Sequence, residues 1–242
     1  MEIIVGLNPV LEALRARASA FKCLYVAKRR SGPVVAQLLE LAKVHGLRII
    51  RLDRLELDRI SGQTHHQGVV AEIGPYAYYT LEQILERSIG RRALVIILDG
   101  IQDPMNLGSI IRSAEAAGAS GVILPRERAA AVTPTVMKAA AGAAEFMPVA
   151  RVVNIVQALE TVKSAGFWII GTDAQASRNI FDVDLTMSLA LIVGGEGRGI
   201  RRLVKEKCDL LVSIPLSGQV NSLNAAMAAT VAMFEYIRQN RL

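Results

Sequence analysis

Cysteine and histidine are scarce in this 242-residue sequence, which has two cysteines and three histidines. Cys23 and Cys208 lie far apart and outside any metal-ligand spacing, so we expect both to be reduced and structural. His65 and His66 are adjacent, but no neighbouring cysteine or aspartate completes a metal site. We therefore predict a loop or hydrogen-bonding role for this pair and no bound metal.

Long apolar runs are also absent. Stretches such as residues 190–193 and 210–212 are far shorter than the ~18 residues that a membrane span needs. The start of the chain has neither a basic segment nor a cleavage site of the secretory type. These absences predict a cytoplasmic protein without membrane association.

Two glycine patterns that bind nucleotides are missing as well. A dinucleotide site requires Gly-x-Gly-x-x-Gly, but the turn over residues 99–108 does not match, and the glycine-rich segment 194–199 is followed by Ile200. The phosphate loop Gly-x4-Gly-Lys-Ser/Thr does not occur. An oxidoreductase with a nicotinamide cofactor and a triphosphate-binding enzyme are therefore disfavoured.

Positive charge is the first informative feature that is present. The formal net charge of +6 suits a polyanionic partner. Residues 1–76 hold 11 Lys and Arg against 7 Asp and Glu, whereas residues 77–242 hold 17 against 15. Lys28, Arg29 and Arg30 are a dense group in the more basic front segment. We take these three as candidate contacts to the polyanion, with a solvated surface as the alternative.

Apolar and helical segments alternate in two blocks, which predicts an α/β chain of two domains. A break that contains glycine and proline over residues 74–79 separates the blocks, and we predict domains over 1–75 and 92–242 with a linker over 76–91. Continuous apolar strands between helices predict a parallel sheet covered on both faces in the second domain. Its predicted strands are residues 94–98, 121–124, 167–170, 189–193 and 210–214. The predicted elements of the first domain are helices over 9–17, 34–45 and 53–60 and strands over 21–27, 48–52 and 68–72.

Three polar clusters follow apolar runs of the second domain. In chain order they are Asn106-x-Gly108-x3-Arg112, Gly194-x-Glu196-x2-Gly199, and Ile214-Pro215 leading into Ser222-Leu223-Asn224. Open α/β sheets bind ligands at the carboxyl ends of their strands. We therefore expect the three clusters to converge on one site.

This ordered set resembles the SpoU, or TrmH, class of SPOUT RNA methyltransferases, over nearly the whole chain. The opening residues 6–14 and the phrase His66-Gln-Gly-Val-Val70 are similar to the subgroup with an additional N-terminal RNA-binding domain. The resemblance implies a small α/β domain that binds the substrate RNA, over 1–75, and a parallel-sheet SPOUT methyltransferase domain with a deep trefoil knot, over 92–242. It also implies a homodimer with each active site near the subunit interface.

The activity that the resemblance implies is methylation of RNA at a ribose 2′-hydroxyl, with S-adenosylmethionine as the cofactor. The subgroup modifies a guanosine in the peptidyl-transferase region of 23S ribosomal RNA, so that RNA or an assembly particle is the expected partner. Methylation of transfer RNA and antibiotic-resistance methylation of ribosomal RNA occur on the same scaffold, and a fold does not dictate its substrate. A non-catalytic RNA-binding assembly factor is the alternative from another class.

Site residues are carried over from the same resemblance. Gly194, Ile214 and Leu223 are the expected cofactor contacts, and Gly195 joins them because glycine lets a backbone approach a ligand closely. Arg112 is expected to grip the RNA phosphate beside the target ribose, since a planar guanidinium binds phosphate in bidentate fashion. A guanidinium stays protonated in proteins, so the identity of the general base stays open.

The remaining candidates are polar. Asn106 is expected to orient Arg112 or the ribose, and Glu196 to fix the arginine or the glycine loop. Ser222 and Asn224 are expected to hydrogen-bond substrate or cofactor. Four of the site candidates have a purely structural alternative: a helix cap for Asn106 and Ser222, a loop brace for Glu196, and a surface position for Arg112.

Overall fold

The structure is a computed structural model that describes residues 2–240. Its contacts divide the chain into two compact units, Met1–Ala77 and Tyr78–Leu242. Each unit has its own sheet and helices.

The first unit is built on a four-stranded mixed sheet with the strand order β1-β4-β2-β3. Its strands are β1 (Glu2–Val5), β2 (Phe21–Ala27), β3 (Arg48–Leu52) and β4 (Val69–Ile73), and its helices are α1 (Leu7–Arg17), α2 (Pro33–Val44) and α3 (Arg54–Ser61). β2 and β3 pair in parallel, whereas β4 pairs antiparallel with both β1 and β2. The structure confirms the predicted strands over 21–27 and 48–52. It adds β1, which the sequence analysis did not predict.

His66, in the loop before β4, connects α3 to that loop through hydrogen bonds. The His66 side chain is fully buried, and its Nδ1 accepts a hydrogen bond from the Gly68 backbone N–H at 2.9 Å. Because Nδ1 accepts, Nε2 carries the proton and donates to Asp58 Oδ1 at 2.9 Å. The predicted hydrogen-bonding role of His66 is confirmed, and these bonds fix the backbone of the following loop.

The second unit contains a seven-stranded, all-parallel sheet with the order β7-β6-β5-β10-β8-β11-β9. Its strands are β5 (Leu94–Asp99), β6 (Gly121–Pro125), β7 (Val149–Val152), β8 (Trp168–Thr172), β9 (Arg178–Asn179), β10 (Leu189–Gly194) and β11 (Leu210–Ser213). Its helices are α4 (Leu81–Glu86), α5 (Pro104–Ala116), α6 (Pro134–Ala139), α7 (Ile155–Ser164), α8 (Arg202–Lys205) and α9 (Ala225–Asn240). The structure confirms the predicted parallel sheet, and it adds the outer strands β7 and β9.

Helices cover this sheet on both faces. Alternate residues of β5, such as Val95 and Ile97, pack in one buried cluster with side chains of α4, α7 and α8. Ile96 points to the opposite face, where α5 contacts both α6 and α9. The two faces together account for the complete burial of the β5 side chains.

The segment before β5 belongs to the second unit. Residues 78–91, which we expected to act as part of a linker, include α4, whose Leu81 and Ile84 lie in the core cluster. A Cβ at Gly121 would lie 2.6 Å from Ile84 Cδ1, so glycine at the start of β6 makes room for this helix. The segment is therefore packed against the sheet along much of its length.

Both cysteines are free thiols. Burial raises the pKa of Cys23 above its usual value and raises the pKa of Cys208 to about 11. Over residues 2–240, no helix is both long enough and apolar enough to cross a membrane. The same residues contain no group of three or more metal-ligating side chains that could hold an ion.

Candidate functional site

The carboxyl ends of β5 and β10 place two of the polar clusters side by side. The strands run in parallel, with Gly194 opposite Asp99 in the register. The chain then leaves β5 through a short turn into α5, where Asp103 accepts a hydrogen bond from the Met105 N–H at 3.0 Å and Pro104 occupies the first helical turn. The cluster on α5 and the loop after β10 therefore begin at one edge of the sheet.

A chain of side-chain hydrogen bonds connects all three clusters. Asn106 Nδ2 donates to Glu196 Oε1, and Asn224 Nδ2 donates to Asn106 Oδ1 at 2.9 Å. The partners are 90 and 118 residues apart in the sequence. Glu196 and Asn224 are exposed and Asn106 is half-buried, so this network, hereafter the Asn106–Glu196–Asn224 network, faces solvent.

The two alternative capping roles are wrong. Asp103, three residues earlier, caps α5, so Asn106 is not the cap. Asn224 caps α9, because its Oδ1 accepts from the backbone N–H groups of Ala226 and Met227 at 2.9 and 3.3 Å. Ser222 is exposed instead, and its hydroxyl makes no hydrogen bond with any residue in the described part of the chain. Ser222 is thus available to a ligand, while Asn224 serves both the helix and the network.

Gly194 and Gly195 are required by the fold itself. A Cβ on Gly194 would overlap the carbonyl carbon of Gly199 and lie 2.6 Å from its oxygen. One on Gly195 would overlap the carbonyl oxygen of Gly100 and lie 2.8 Å from its carbonyl carbon. The Gly195 N–H donates to the Asp99 carbonyl at 2.9 Å. The expected reason for these glycines is the approach of a ligand, and in the structure segments of the chain itself also approach them.

An ion pair that the sequence analysis missed holds this loop in place. Asp99 is fully buried, and its Oδ2 accepts from the Arg201 backbone N–H at 2.7 Å. Its Oδ1 accepts from Arg201 Nε at 2.7 Å and lies 2.6 Å from Nη2. The pair closes the loop over residues 195–200, which carries Glu196. The only signal for it in the sequence is a single carboxylate at the end of an apolar run.

Arg112 stands apart from the network. It lies six residues after Asn106 on α5, which corresponds to about 9 Å along the helix axis and about 120° around it. Its side chain is exposed and makes no hydrogen bond or ion pair with any residue between 2 and 240. The expectation that Asn106 or Glu196 fixes this arginine is therefore wrong within one chain. The Arg112 guanidinium is left free to bind an external anion.

The loop between β11 and α9 has the chemistry of a cofactor site. Ile214 is half-buried directly after β11, and residues 215–224 are exposed. Within the described chain, no backbone group of residues 214–223 makes a backbone hydrogen bond. Leu216 and Leu223 are 37% and 38% exposed. Unpaired backbone donors and acceptors beside apolar side chains fit S-adenosylmethionine, which has an aromatic base and charged amino and carboxylate groups.

The basic group Lys28, Arg29 and Arg30 follows β2 in the first unit, and all three side chains are exposed. Lys28 Nζ pairs with Asp53 Oδ2 at 2.8 Å. The guanidinium groups of Arg29 and Arg30 have no ion-pair partner among the residues that the structure describes. Two residues of this basic group, Arg29 and Arg30, therefore carry charge that no ion pair within the described chain compensates.

Replacing Asn224 with alanine tests the network. We expect a loss of about 1 kcal/mol in the free energy of unfolding, because α9 loses its cap. Methyl transfer should fall as well, because Asn106 loses a partner. Asn154→Ala is the matched control: Asn154 caps α7 by accepting from Val156 N–H at 2.9 Å and has no contact with the network. Equal activities for the two variants, measured at equal folded fractions, would show that the network has no functional role.

Two family models match the chain. The SpoU rRNA Methylase family matches residues 93–234, and the RNA 2′-O ribose methyltransferase substrate binding family matches residues 3–79. Together they cover both units.

Relatives match over almost their whole length. The TrmH family tRNA/rRNA methyltransferase YacO of Bacillus subtilis is 42% identical over 241 residues, which cover 98% of this chain and 96% of that protein. The 23S rRNA (guanosine-2′-O-)-methyltransferase RlmB of Pseudomonas putida is 40% identical over 246 residues, with coverage of 100% and 98%.

Solved structures agree with these matches. The SpoU methyltransferase AviRb of Streptomyces viridochromogenes in complex with AdoMet aligns with a TM-score of 0.79 at 29% identity, covering 98% of this chain and 89% of that one. An AdoMet-bound rRNA methyltransferase of Sinorhizobium meliloti aligns with a TM-score of 0.82 at 27% identity, with coverage of 100% and 88%. The predicted resemblance is confirmed, and this chain belongs to the SpoU rRNA methylase family.

Proposed function

We propose that this chain transfers a methyl group from S-adenosylmethionine to the ribose 2′-hydroxyl of a guanosine in 23S ribosomal RNA. The observation that carries the proposal is the Asn106–Glu196–Asn224 network, which joins three polar clusters at one edge of the parallel sheet. The full-length relative RlmB, named as a 23S rRNA guanosine methyltransferase, supports the choice of RNA and nucleoside. From this proposed substrate we also infer a cytoplasmic location.

The cofactor binds at the loop between β11 and α9. The backbone groups of residues 214–223 make no backbone hydrogen bonds within the described chain, so they would be able to hold the polar groups of the cofactor, and Leu223 would offer an apolar surface to its adenine. Gly194 and Gly195 shape the neighbouring backbone. When bound, S-adenosylmethionine supplies a methyl group that is already electrophilic because it is attached to a sulfonium.

The chain's own task is then to align the hydroxyl and to assist loss of its proton. Arg112 binds the phosphate beside the target ribose, since its guanidinium is exposed and has no partner among residues 2–240. Asn106 and Glu196 orient the loop and the ribose, while Ser222 and Asn224 contribute hydrogen bonds from the start of α9. These roles divide substrate positioning between α5 and the two loops.

A homodimer is part of the proposal. Several large apolar side chains on or near α5 and α9 are exposed, namely Met105 at 56%, Phe146 at 65%, Met227 at 57% and Phe234 at 44%. Large exposed apolar side chains on packed, neighbouring elements are candidates for an interface. Sedimentation that finds only monomers at micromolar concentration would contradict this part.

The proposal also includes a division of labour between the two units and a knot in the second unit. The first unit binds the substrate RNA, and the second unit, whose core includes α4, carries the chemistry. The C-terminal segments form a deep trefoil knot, an arrangement that is rare among folds in general.

The test is transfer of labelled methyl from S-adenosylmethionine to unmodified total RNA and to large-subunit precursors, with mass-spectrometric mapping of the product. We expect 2′-O-methylguanosine in 23S ribosomal RNA. Label in transfer RNA would support the methyl-transfer reaction but refute 23S ribosomal RNA as the substrate. Cofactor binding without any transfer would replace the proposal with a non-catalytic RNA-binding assembly factor.

A further inference from the structure

The first unit contains an open cavity of ≈ 980 Å³. It lies where β2 and β3 end, beside the first residues of α1 and the loop before β4. Sites for small organic ligands typically measure about 300–1,000 Å³. The cavity is therefore large enough for a nucleotide.

The floor of the cavity is apolar. Leu7 is buried, and Ala27 and Leu52 are half-buried. The rim is held by Gln67, whose Oε1 accepts from the Leu7 backbone N–H at 3.2 Å, and Gln67 has a positive φ of 53°. Because the buried His66 anchors the same loop, the shape of the cavity is fixed before any ligand arrives.

Positive charge surrounds this floor. Four cations, Lys28, Arg29, Arg30 and Arg54, line the cavity against the single carboxylate of Asp53. Only Lys28 forms an ion pair with that carboxylate. All three arginines are exposed, and their guanidinium groups have no ion-pair partner in the region that the structure describes.

Arg30 is held over the cavity by packing. A Cβ on Gly68 would lie 3.2 Å from Arg30 Cγ and 3.3 Å from its Cδ, so the side-chain stem lies directly on the glycine backbone. Gly68 also has a φ of +78°, a conformation that side chains other than glycine rarely adopt. The packing on Gly68 therefore positions the Arg30 guanidinium, and no ion pair within the described chain neutralises its charge.

We propose that this cavity binds one unstacked nucleotide of the RNA substrate, with the base on the apolar floor and the phosphate among the arginines. Bases splayed out of loops and bulges are recognised by stacking on side chains, and phosphates are bound by guanidinium groups. A fully paired helix keeps its bases inside the stack. The pocket therefore selects RNA that has a bulged or looped nucleotide. The inference rests on the proposed function, because it assigns the occupant to the RNA that is methylated.

The experiment measures binding of the full chain to a labelled hairpin with a single-nucleotide bulge and to the same hairpin without it. We expect the bulged RNA to bind about tenfold more tightly. Asn8→Trp fills the cavity from an exposed position without changing charge, and it should abolish this preference while duplex binding persists. Arg54→Ala should weaken binding and lower the salt slope by about 1.

Arg59→Ala is the matched control for Arg54→Ala, because Arg59 is exposed on the same helix, α3, and does not line the cavity. It should retain the preference for the bulge. Three outcomes would refute nucleotide binding in the cavity. They are equal affinity of the wild type for both hairpins, an unchanged preference in Asn8→Trp, and equal effects of the two arginine variants. Competition by guanosine monophosphate as strong as by the bulged RNA would identify a small-molecule site instead.

Methyl transfer, measured separately, distinguishes the two proposals. If the protein prefers the bulged hairpin but methylates no RNA, the nucleotide pocket is supported and the proposed activity is refuted. If the protein methylates 23S ribosomal RNA but binds both hairpins equally, the proposed activity is supported and the nucleotide pocket is refuted.

Discussion

Replacing Arg112 with alanine is expected to reduce kcat for RNA methylation by a factor on the order of 10² to 10³, the size typical of one lost charge-stabilising donor. Affinity for S-adenosylmethionine should be nearly unchanged. The physical reason is that the Arg112 guanidinium is exposed and has no partner among residues 2–240, so its removal costs the folded chain little. Single-turnover kinetics with saturating cofactor, combined with calorimetric titration of the cofactor, measure the two effects.

Two further variants separate charge from geometry. Arg112→Lys keeps the charge and loses the planar fork, so we expect partial recovery if bidentate phosphate binding matters. Arg87→Ala removes an exposed arginine at the end of α4 and should behave like the wild type. An Arg112→Ala chain that methylates RNA normally but fails to bind cofactor would refute the assigned role.

Much of the sheet in the second unit could be predicted because its central strands are uninterrupted apolar runs. Residues 94–98 and 189–193 form β5 and β10, which are buried on both faces at the centre of the sheet. The outer strands were missed for the opposite reason. β7 contains the polar Arg151, and β9 has only two residues, so neither gives a periodic signal.

The convergence of the polar clusters could also be anticipated, but the bonds between them could not. Strand ends in a parallel sheet meet at one edge, which is a rule of topology. The pairing of Asp99 with Arg201 joins residues 102 positions apart, and neither residue type identifies its partner. Asn224 as the cap of α9 was missed because Ser222 and Asn224 are both good capping residues, and only the backbone shows which one precedes the helix.

A glycine in a motif can be required by close packing of the chain as well as by the approach of a ligand. Gly108 lies inside the first cluster, yet a Cβ there would lie 2.8 Å from the Val136 carbonyl oxygen, so glycine allows α6 to pack closely on α5. A motif position can thus be occupied by glycine for reasons of packing alone. Whether packing or the approach of a ligand requires glycine can be measured at Gly195.

Gly195→Ala is expected to lower the free energy of unfolding by about 3 kcal/mol or more, because a methyl group there overlaps backbone, which no rotamer change relieves. For a chain of this length, that loss corresponds to a fall in Tm of about 6–12 °C. Gly218→Ala is the control, because a Cβ added to that glycine would have no atom within 4 Å and its φ is not positive. In thermal unfolding without cofactor, the Tm of Gly218→Ala should therefore equal that of the wild type.

The measurement without cofactor decides between two causes. If Gly195 is glycine because a ligand approaches it, Gly195→Ala should unfold at the wild-type temperature and lose only affinity for S-adenosylmethionine. If the chain itself approaches it, as the contact with Gly100 indicates, stability should fall before any ligand is added. Cofactor affinity should then decline as a consequence, because the loop that carries Glu196 is displaced together with its bond to Asn106. A stable variant with weak cofactor binding would restore the ligand as the reason for this glycine.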